Sequence, residues 1–244
     1  MTKTTQPGAV SAFFIYCAYG LRAAALLAAA AGIACGPAPE QPTAADTGDE
    51  APAAAEAPDA FAWPEGPHPT ATLRIAGLGE IVIELYPELA PATVANFEQL
   101  AAAGFYDGTT FHRVIPGFMI QGGDPNTRDD DPVNDGHGGS EERIPDEISG
   151  APHVPGVVSM ANLGSPNSAT SQFFIVIGDA RHLDAKHSVF GRVRSGDAVV
   201  EAITAVETDV YGRWGPKQRP IEDVVIEGVV LDDARQEAEA VAAR

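Results

Sequence analysis

Arg113 and Gln121 stand among Phe111, Phe118, Met119 and Ile120 in one short stretch, FHRVIPGFMIQGGD, from Phe111 to Asp124. A guanidinium is a planar fork of five N–H donors, and a carboxamide is both donor and acceptor. No nucleophile stands between them, so the chemistry on offer is hydrogen bonding beside an apolar wall. One fixed cation, one amide and several large apolar side chains suit an uncharged, proline-like ligand. The same residues also fit a buried strand whose arginine lies along the core and keeps its head in water. Pro116-Gly117 reads as a turn between two strand-like runs, which would bring the arginine and the amide onto neighbouring strands.

A second polar set lies in MANLGSPNSATSQFFIVIG, Met160 to Gly178. Asn162, Asn167, Ser168, Thr170 and Gln172 can hydrogen-bond an extended peptide backbone, and Gln172 with Phe174 complements Gln121 with Phe118. A third set, His182, Asp184 and His187 in RHLDAKHSVFGRV, offers a metal site or a catalytic dyad. Zinc normally takes three protein ligands, and the chain contains no nucleophile-elbow motif, so His187 is better read as a ring against a pocket wall. The loop from Pro125 to Arg143 carries Asp129, Asp130, Asp131, Asp135 and His137. Its acids lack the alternate spacing and closing glutamate of a calcium loop, which leaves a solvated acidic loop.

The elements around these residues are legible from periodicity. Leu73 and Ile75, then Ile81, Ile83 and Leu85, alternate with polar neighbours across Gly77-Leu78-Gly79, as a hairpin does. Pro91 opens a helix with Val94, Phe97, Leu100 and Ala101 on one face, and Gly104 stops it. Val157 to Met160 and Phe173 to Ile177 read as buried strands. Ser195 is placed to cap a short helix carrying Val199, Val200 and Ile203, and Ile221 to Leu231 reads as a closing strand.

The ends differ in kind. Ser11 to Ala34 is almost wholly apolar, interrupted by Arg22, and runs into Cys35-Gly36-Pro37. Residues 1–35 resemble a bacterial lipoprotein signal with Cys35 as the lipidated residue, although Gly32 stands where that pattern prefers a large aliphatic side chain. An uncleaved spanning anchor is the alternative, with Arg22 costly near its middle, and a true start near Leu21 is another. Residues 36–69 are rich in Ala, Pro, Glu and Asp and read as a disordered tether, with Phe61 and Trp63 as candidates to dock on the domain. The folded domain is expected over 70–231, and 232–244 reads as an acidic tail. Cys17 and Cys35 are the two cysteines of the chain, so the domain itself holds no disulfide or thiolate site. The formal charge of -19 argues against a nucleic-acid partner, since phosphate binding needs clustered Lys and Arg.

GFYDGTTFHRVIPGFMIQGGDP, SMAN, SQFFI and FGRV follow one another with the order and spacing of the cyclophilin family, and the stretch from Thr70 to Leu231 resembles its peptidyl-prolyl cis-trans isomerases. The resemblance implies a mainly β fold, a closed eight-stranded antiparallel barrel capped by two helices. It implies a proline pocket of Phe118, Met119, Phe174 and Leu183 with His187 beside it, and Arg113, Gln121, Ala161, Asn162 and Gln172 facing the substrate backbone. His182 departs from the tryptophan of many eukaryotic members, and the loop Leu163 to Ser171 is one residue longer.

The implied reaction needs neither metal nor cofactor. Its barrier, ~20 kcal/mol, is the amide resonance lost on twisting, and the prolyl nitrogen becomes an acceptor as that resonance disappears. Arg113 would donate to it then, with Gln121 assisting. Proline-containing peptides and unfolded proteins are the expected partners, with a monomer tethered through Cys35 in the cell envelope, its domain outside the cytoplasm. A non-catalytic proline-binding module or chaperone is the alternative.

Overall fold

The computed structural model describes residues 61–232. Two strands, β1 (Thr70–Ile75) and β2 (Gly79–Leu85), form the hairpin read from alternation, with Leu73, Ile81, Ile83 and Leu85 fully buried. Helix α1 (Pro91–Ala102) follows and buries Val94, Phe97 and Ala101. Its Ala90 cap offers no side-chain acceptor. The carboxylate of Glu147 takes that part instead, accepting from the backbone N–H of Ala92 at 2.9 Å and of Thr93 at 2.8 Å. Such an anion at a helix N-terminus satisfies orphan donors and complements the helix dipole.

Then come β3 (Arg113–Ile115), β4 (Met119–Gly122), β5 (Val157–Met160), β6 (Phe173–Val176) and β7 (Val189–Ser195), followed by helix α2 (Asp197–Thr204). Ser195 ends β7 rather than capping α2; the cap is Gly196, in a left-handed conformation with φ of 102°. A small hairpin, β8 (Thr208–Asp209) with β9 (Arg219–Pro220), precedes the last strand, β10 (Ile226–Asp232). The closing strand is therefore shorter at its start than the apolar pattern from Ile221 suggests.

Eight strands make one antiparallel sheet in the order β10-β1-β2-β7-β5-β6-β4-β3. Curling puts one face inward around Phe97, Phe111, Ile120, Phe173 and Phe190, with α1 over the core through the contacts of Phe97 with Tyr106, Phe173 and Phe190. The closed barrel implied by the sequence needs correction: the edge strands β3 and β10 share no ladder, and the sheet is a half-barrel. The lead-in to β3 meets the lead-in to β10 instead, through Gly108 N–H to Ile226 O (2.8 Å), Ile226 N–H to Thr109 O (2.8 Å) and Phe111 N–H to Val224 O (2.9 Å). Beyond that point Val114 N–H donates to Gln218 O at 2.9 Å, so the free edge of β3 is occupied by the β8–β9 region before β10 could reach it.

Residues 61–69, the end of the stretch read as a tether, pack on the domain. Trp63 lies 5.0 Å from the Phe61 ring and 5.7 Å from Tyr86, with the Arg192 guanidinium 4.6 Å above it. Cys35, the rest of the leader and tether, and 233–244 lie outside the described residues.

Candidate active site

Cα partners in an antiparallel sheet point their side chains to the same face. Arg113 pairs with Gln121, Gln121 with Phe174, and Phe174 with Ser159, so one row crosses β3, β4, β6 and β5 on the outer face. The alternate residues Val114, Ile120, Ile175 and Val158 point into the core. This pleat settles the question left open by the sequence. Arg113 is half-buried on the outer face and does not lie along the core.

Phe118, in the β3–β4 turn, and the segment 180–187 close that row into a cavity of about 190 Å³. It is lined by Arg113, Phe118, Met119, Gln121, Ala161, Asn162, Phe174, Leu183 and His187. Met119 and Phe174 form its buried floor, and the His187 ring stands edge-on to Phe174 at 5.4 Å. His187 Nδ1 lies 3.2 Å from the Met160 carbonyl, and burial keeps its pKa below the ordinary histidine value. His182 lies outside the lining but stacks on the rim, its ring 5.3 Å from Phe118.

Arg113 Nε donates to Gln218 Oε1 at 3.4 Å. Partial burial lowers the guanidinium pKa, yet an arginine keeps its charge at any pH a protein tolerates. Asn162 uses its side chain on the Lys186 carbonyl (3.0 Å) and the Gly164 N–H (3.0 Å). These bonds fix the side chain and leave its main chain free to meet a ligand in the cavity it lines.

Gln172 is the predicted residue that does not line this cavity. Its Oε1 accepts from Gln121 Nε2 at 2.8 Å, and its Nε2 donates to Gly138 O at 2.7 Å and Gly136 O at 3.1 Å. With both N–H donors engaged, it forms the wall between the cavity and a neighbouring groove of about 290 Å³. Gln121, Ala161 and Asn162 border both spaces.

Two positioning residues, Gln218 and His153, were not legible in the sequence, and Asp184, singled out there as a metal or dyad candidate, takes a positioning part instead. Gln218 adopts φ of 67° in a polar loop and is tied by its own N–H to Asp209 O at 2.8 Å. His153, fully buried, stacks on Phe174 with ring centroids 6.0 Å apart. Asp184 meets His153 twice, at the backbone N–H (2.8 Å) and at Nδ1 (2.9 Å), which holds the 181–187 segment against the cavity. Burial lowers the His153 pKa, and the Asp184 carboxylate acts against that shift. His153 Nε2 is also 3.0 Å from Ser159 Oγ, so a serine, a histidine and an aspartate stand in line. Ser159 is fully buried and donates to Ser188 O at 3.0 Å, so its oxygen never meets the cavity. Asp184 is held by His153, whose ring stands 6.2 Å from that of His187, while His187 Nδ1 faces the Met160 carbonyl and His182 lies on Phe118.

The arrangement is an apolar cup for a compact ring, a cation at its edge and polar main chain opposite. Residues 70–231 match the family described as cyclophilin type peptidyl-prolyl cis-trans isomerase/CLD. The chain is 41% identical over 165 residues to peptidyl-prolyl cis-trans isomerase-like 1 of Gibberella zeae, covering 65% of this chain and 93% of that protein. It is 52% identical over 119 residues to peptidyl-prolyl cis-trans isomerase B of Bacillus subtilis, covering 48% of this chain and 78% of that one. The crystal structure of a Cryptosporidium parvum cyclophilin type isomerase in the presence of the dipeptide Ala-Pro superposes with a TM-score of 0.59 at 28% identity, covering 67% of this chain and 98% of that one. A half-barrel whose outer face carries this cup, matched along its whole length by isomerases of one kind, makes the chain a member of the cyclophilin type peptidyl-prolyl cis-trans isomerase family.

Proposed function

We propose that this isomerase turns X-Pro bonds by holding the proline ring on Phe118, Met119, Phe174 and Leu183 and stabilising the twisted amide with Arg113. The observation that carries this reading is the state of the guanidinium. Its Nε is steadied by Gln218, while the terminal nitrogens make no hydrogen bond or ion pair among the described residues, and Arg113 lines the cavity. Ground-state amide nitrogen is a poor acceptor, because its lone pair is delocalised into the carbonyl. As the bond rotates the pair localises, and a donor already in place stabilises that geometry alone. Gln121 and the main chain of Asn162 hold the flanking carbonyl. Substrates are proline-containing peptides and unfolded chains, in keeping with the Ala-Pro dipeptide of the Cryptosporidium parvum crystal.

The test is two-dimensional exchange spectroscopy on a short X-Pro peptide, with melting curves alongside. Arg113→Ala should remain folded and lose about a hundredfold or more in turnover, the scale of a lost transition-state donor. A folded Arg113→Ala protein with undiminished turnover would overturn the mechanism.

The reading extends to place. The apolar leader ending at Cys35 and the Pro- and Ala-rich segment after it support a lipid-anchored, monomeric enzyme that works on exported proteins in the cell envelope. Cys35→Ser should abolish lipid attachment in mass analysis and detergent partitioning, and a mature form cut elsewhere refutes the anchor.

A further inference from the structure

The loop between β8 and β9 displays aromatic side chains that isomerisation of a single bond does not use. Tyr211 is 74% exposed and Trp214 56%, and Val133 across from them is 68% exposed. These rings stand on a braced loop. The Asp209 carboxylate, itself buried, accepts from the N–H groups of Trp214 (2.8 Å), Gly212 (3.0 Å) and Tyr211 (3.2 Å). Gly215 rests so close to Pro132 that a Cβ there would lie 2.6 Å from its carbonyl oxygen. The Arg213 guanidinium is 4.4 Å from the Trp214 ring and 5.7 Å from that of Tyr211. Tyr, Trp and Arg are the types that dominate binding energy at interfaces, and an organised apolar patch on the surface marks a place of contact.

Between Pro132–Val133 and residues 212–216 runs an open groove of about 530 Å³; Tyr211 does not line it but flanks Arg213, which does. It reaches the candidate active site through the 290 Å³ groove, which shares Gln121, Ala161 and Asn162 with the cavity. His137 lines both this groove and the 290 Å³ groove beside Gln121. Gln218, just beyond Pro216 of the groove wall, is the residue bonded to Arg113.

We propose that this groove is a docking site for the client polypeptide itself, taking an extended apolar or aromatic segment that flanks the X-Pro bond held at Arg113. The inference rests on the isomerase reading of the cavity. Continuity with that cavity favours one chain lying across both, and a second copy is disfavoured because two chains of formal charge -19 repel. A flanking segment bound here raises the effective concentration of the proline bond at the cavity. Short peptides end before they reach it.

The experiment compares the full-length protein with its Tyr211→Ala and Trp214→Ala variants on two substrates, a four-residue Ala-Pro peptide and a long unfolded protein whose refolding waits on proline isomerisation. Both variants should match the parent on the short peptide and lose about fivefold or more in kcat/KM on the long one, through KM, as loss of an interface aromatic predicts. In a Trp63→Phe background, where Trp214 is the remaining tryptophan, a permanently unfolded chain should change Trp214 fluorescence. Equal losses on both substrates, or none on the long one, overturn the docking site. A concentration-dependent dimer abolished by Trp214→Ala also overturns it and makes the patch a self-interface. A parent without turnover on the short peptide refutes the isomerase reading instead, and the Trp214 fluorescence change alone then decides the docking site.

Discussion

Gln172 accepts a 2.8 Å hydrogen bond from Gln121 while its own two N–H donors are held by the carbonyls of Gly136 and Gly138. Gln121 is thereby oriented from behind, and the 136–138 loop is tied to the same amide. Gln121→Ala should slow isomerisation of a short peptide by several-fold, and Gln172→Ala should do about the same while lowering the melting temperature as well, since two part-buried carbonyls lose their donor. Combining them should cost little more in kcat/KM than either alone, as expected for residues in one network. Additive losses in kcat/KM would show that Gln172 acts on its own.

His112 should make the fold sensitive to acid. It is buried, and burial lowers its pKa to about 4 in spite of the Asp124 carboxylate and the polar contacts of Thr110 and Gln172. The unfolded chain takes up the proton first, at about pH 6.5, so this contribution to stability is complete above that value and disappears as pH falls toward 4. Burial shifts His153 and His187 the same way, so they act in the same sense. Denaturant melts from pH 7 to pH 4 should fall more steeply in the parent than in His112→Leu. Parallel slopes would refute the assignment.

Glu147 should stabilise the domain from a distance. Its carboxylate receives three bonds at the start of α1, from Ala92 N–H, Thr93 N–H and the Thr93 hydroxyl. Glu147→Ala leaves these donors without their partner and should cost about 1–2 kcal/mol, as loss of a helix cap does. Chemical denaturation measures it, and Glu147→Asp, one methylene shorter, should recover only part. An unchanged midpoint in Glu147→Ala would remove the cap from the account of stability.

His182 decides how large apolar ligands fare. It lies on Phe118 at the rim, and by the family resemblance it takes the place of a tryptophan that in strongly cyclosporin-binding members reaches the drug. An imidazole covers less surface, and some tens of Å² at ~25 cal/mol per Å² weakens binding by roughly 1–2 kcal/mol. Cyclosporin inhibition should be weak in the parent and about tenfold tighter in His182→Trp, with peptide turnover nearly unchanged. Tight inhibition of the parent in a drug titration would show that this rim position is misassigned.

Local spacing along the chain was enough for several elements. Alternation marked the β1–β2 hairpin, helical spacing with Pro91 marked α1, and the turn at Pro116-Gly117 brought Arg113 opposite Gln121. The full set of cavity residues came from the resemblance to the family, and strand register accounts only for Arg113, Gln121 and Phe174 sharing one face. Other features depend on partners far apart in the chain. Arg113 meets Gln218 across 105 positions, Glu147 reaches Ala92 across 55, and His153 meets Asp184 across 31. Nothing in the composition around Gln218 or Glu147 distinguishes them from solvated polar residues. Gln172 was legible as part of the site but not in its direction, since an amide turns toward whichever donors and acceptors the fold leaves it, and here the 136–138 carbonyls took both N–H groups. The open seam has the same cause: β3 is three residues long, and the loop that follows α2 folds back to hydrogen-bond Val114 where a closed ladder would need β10.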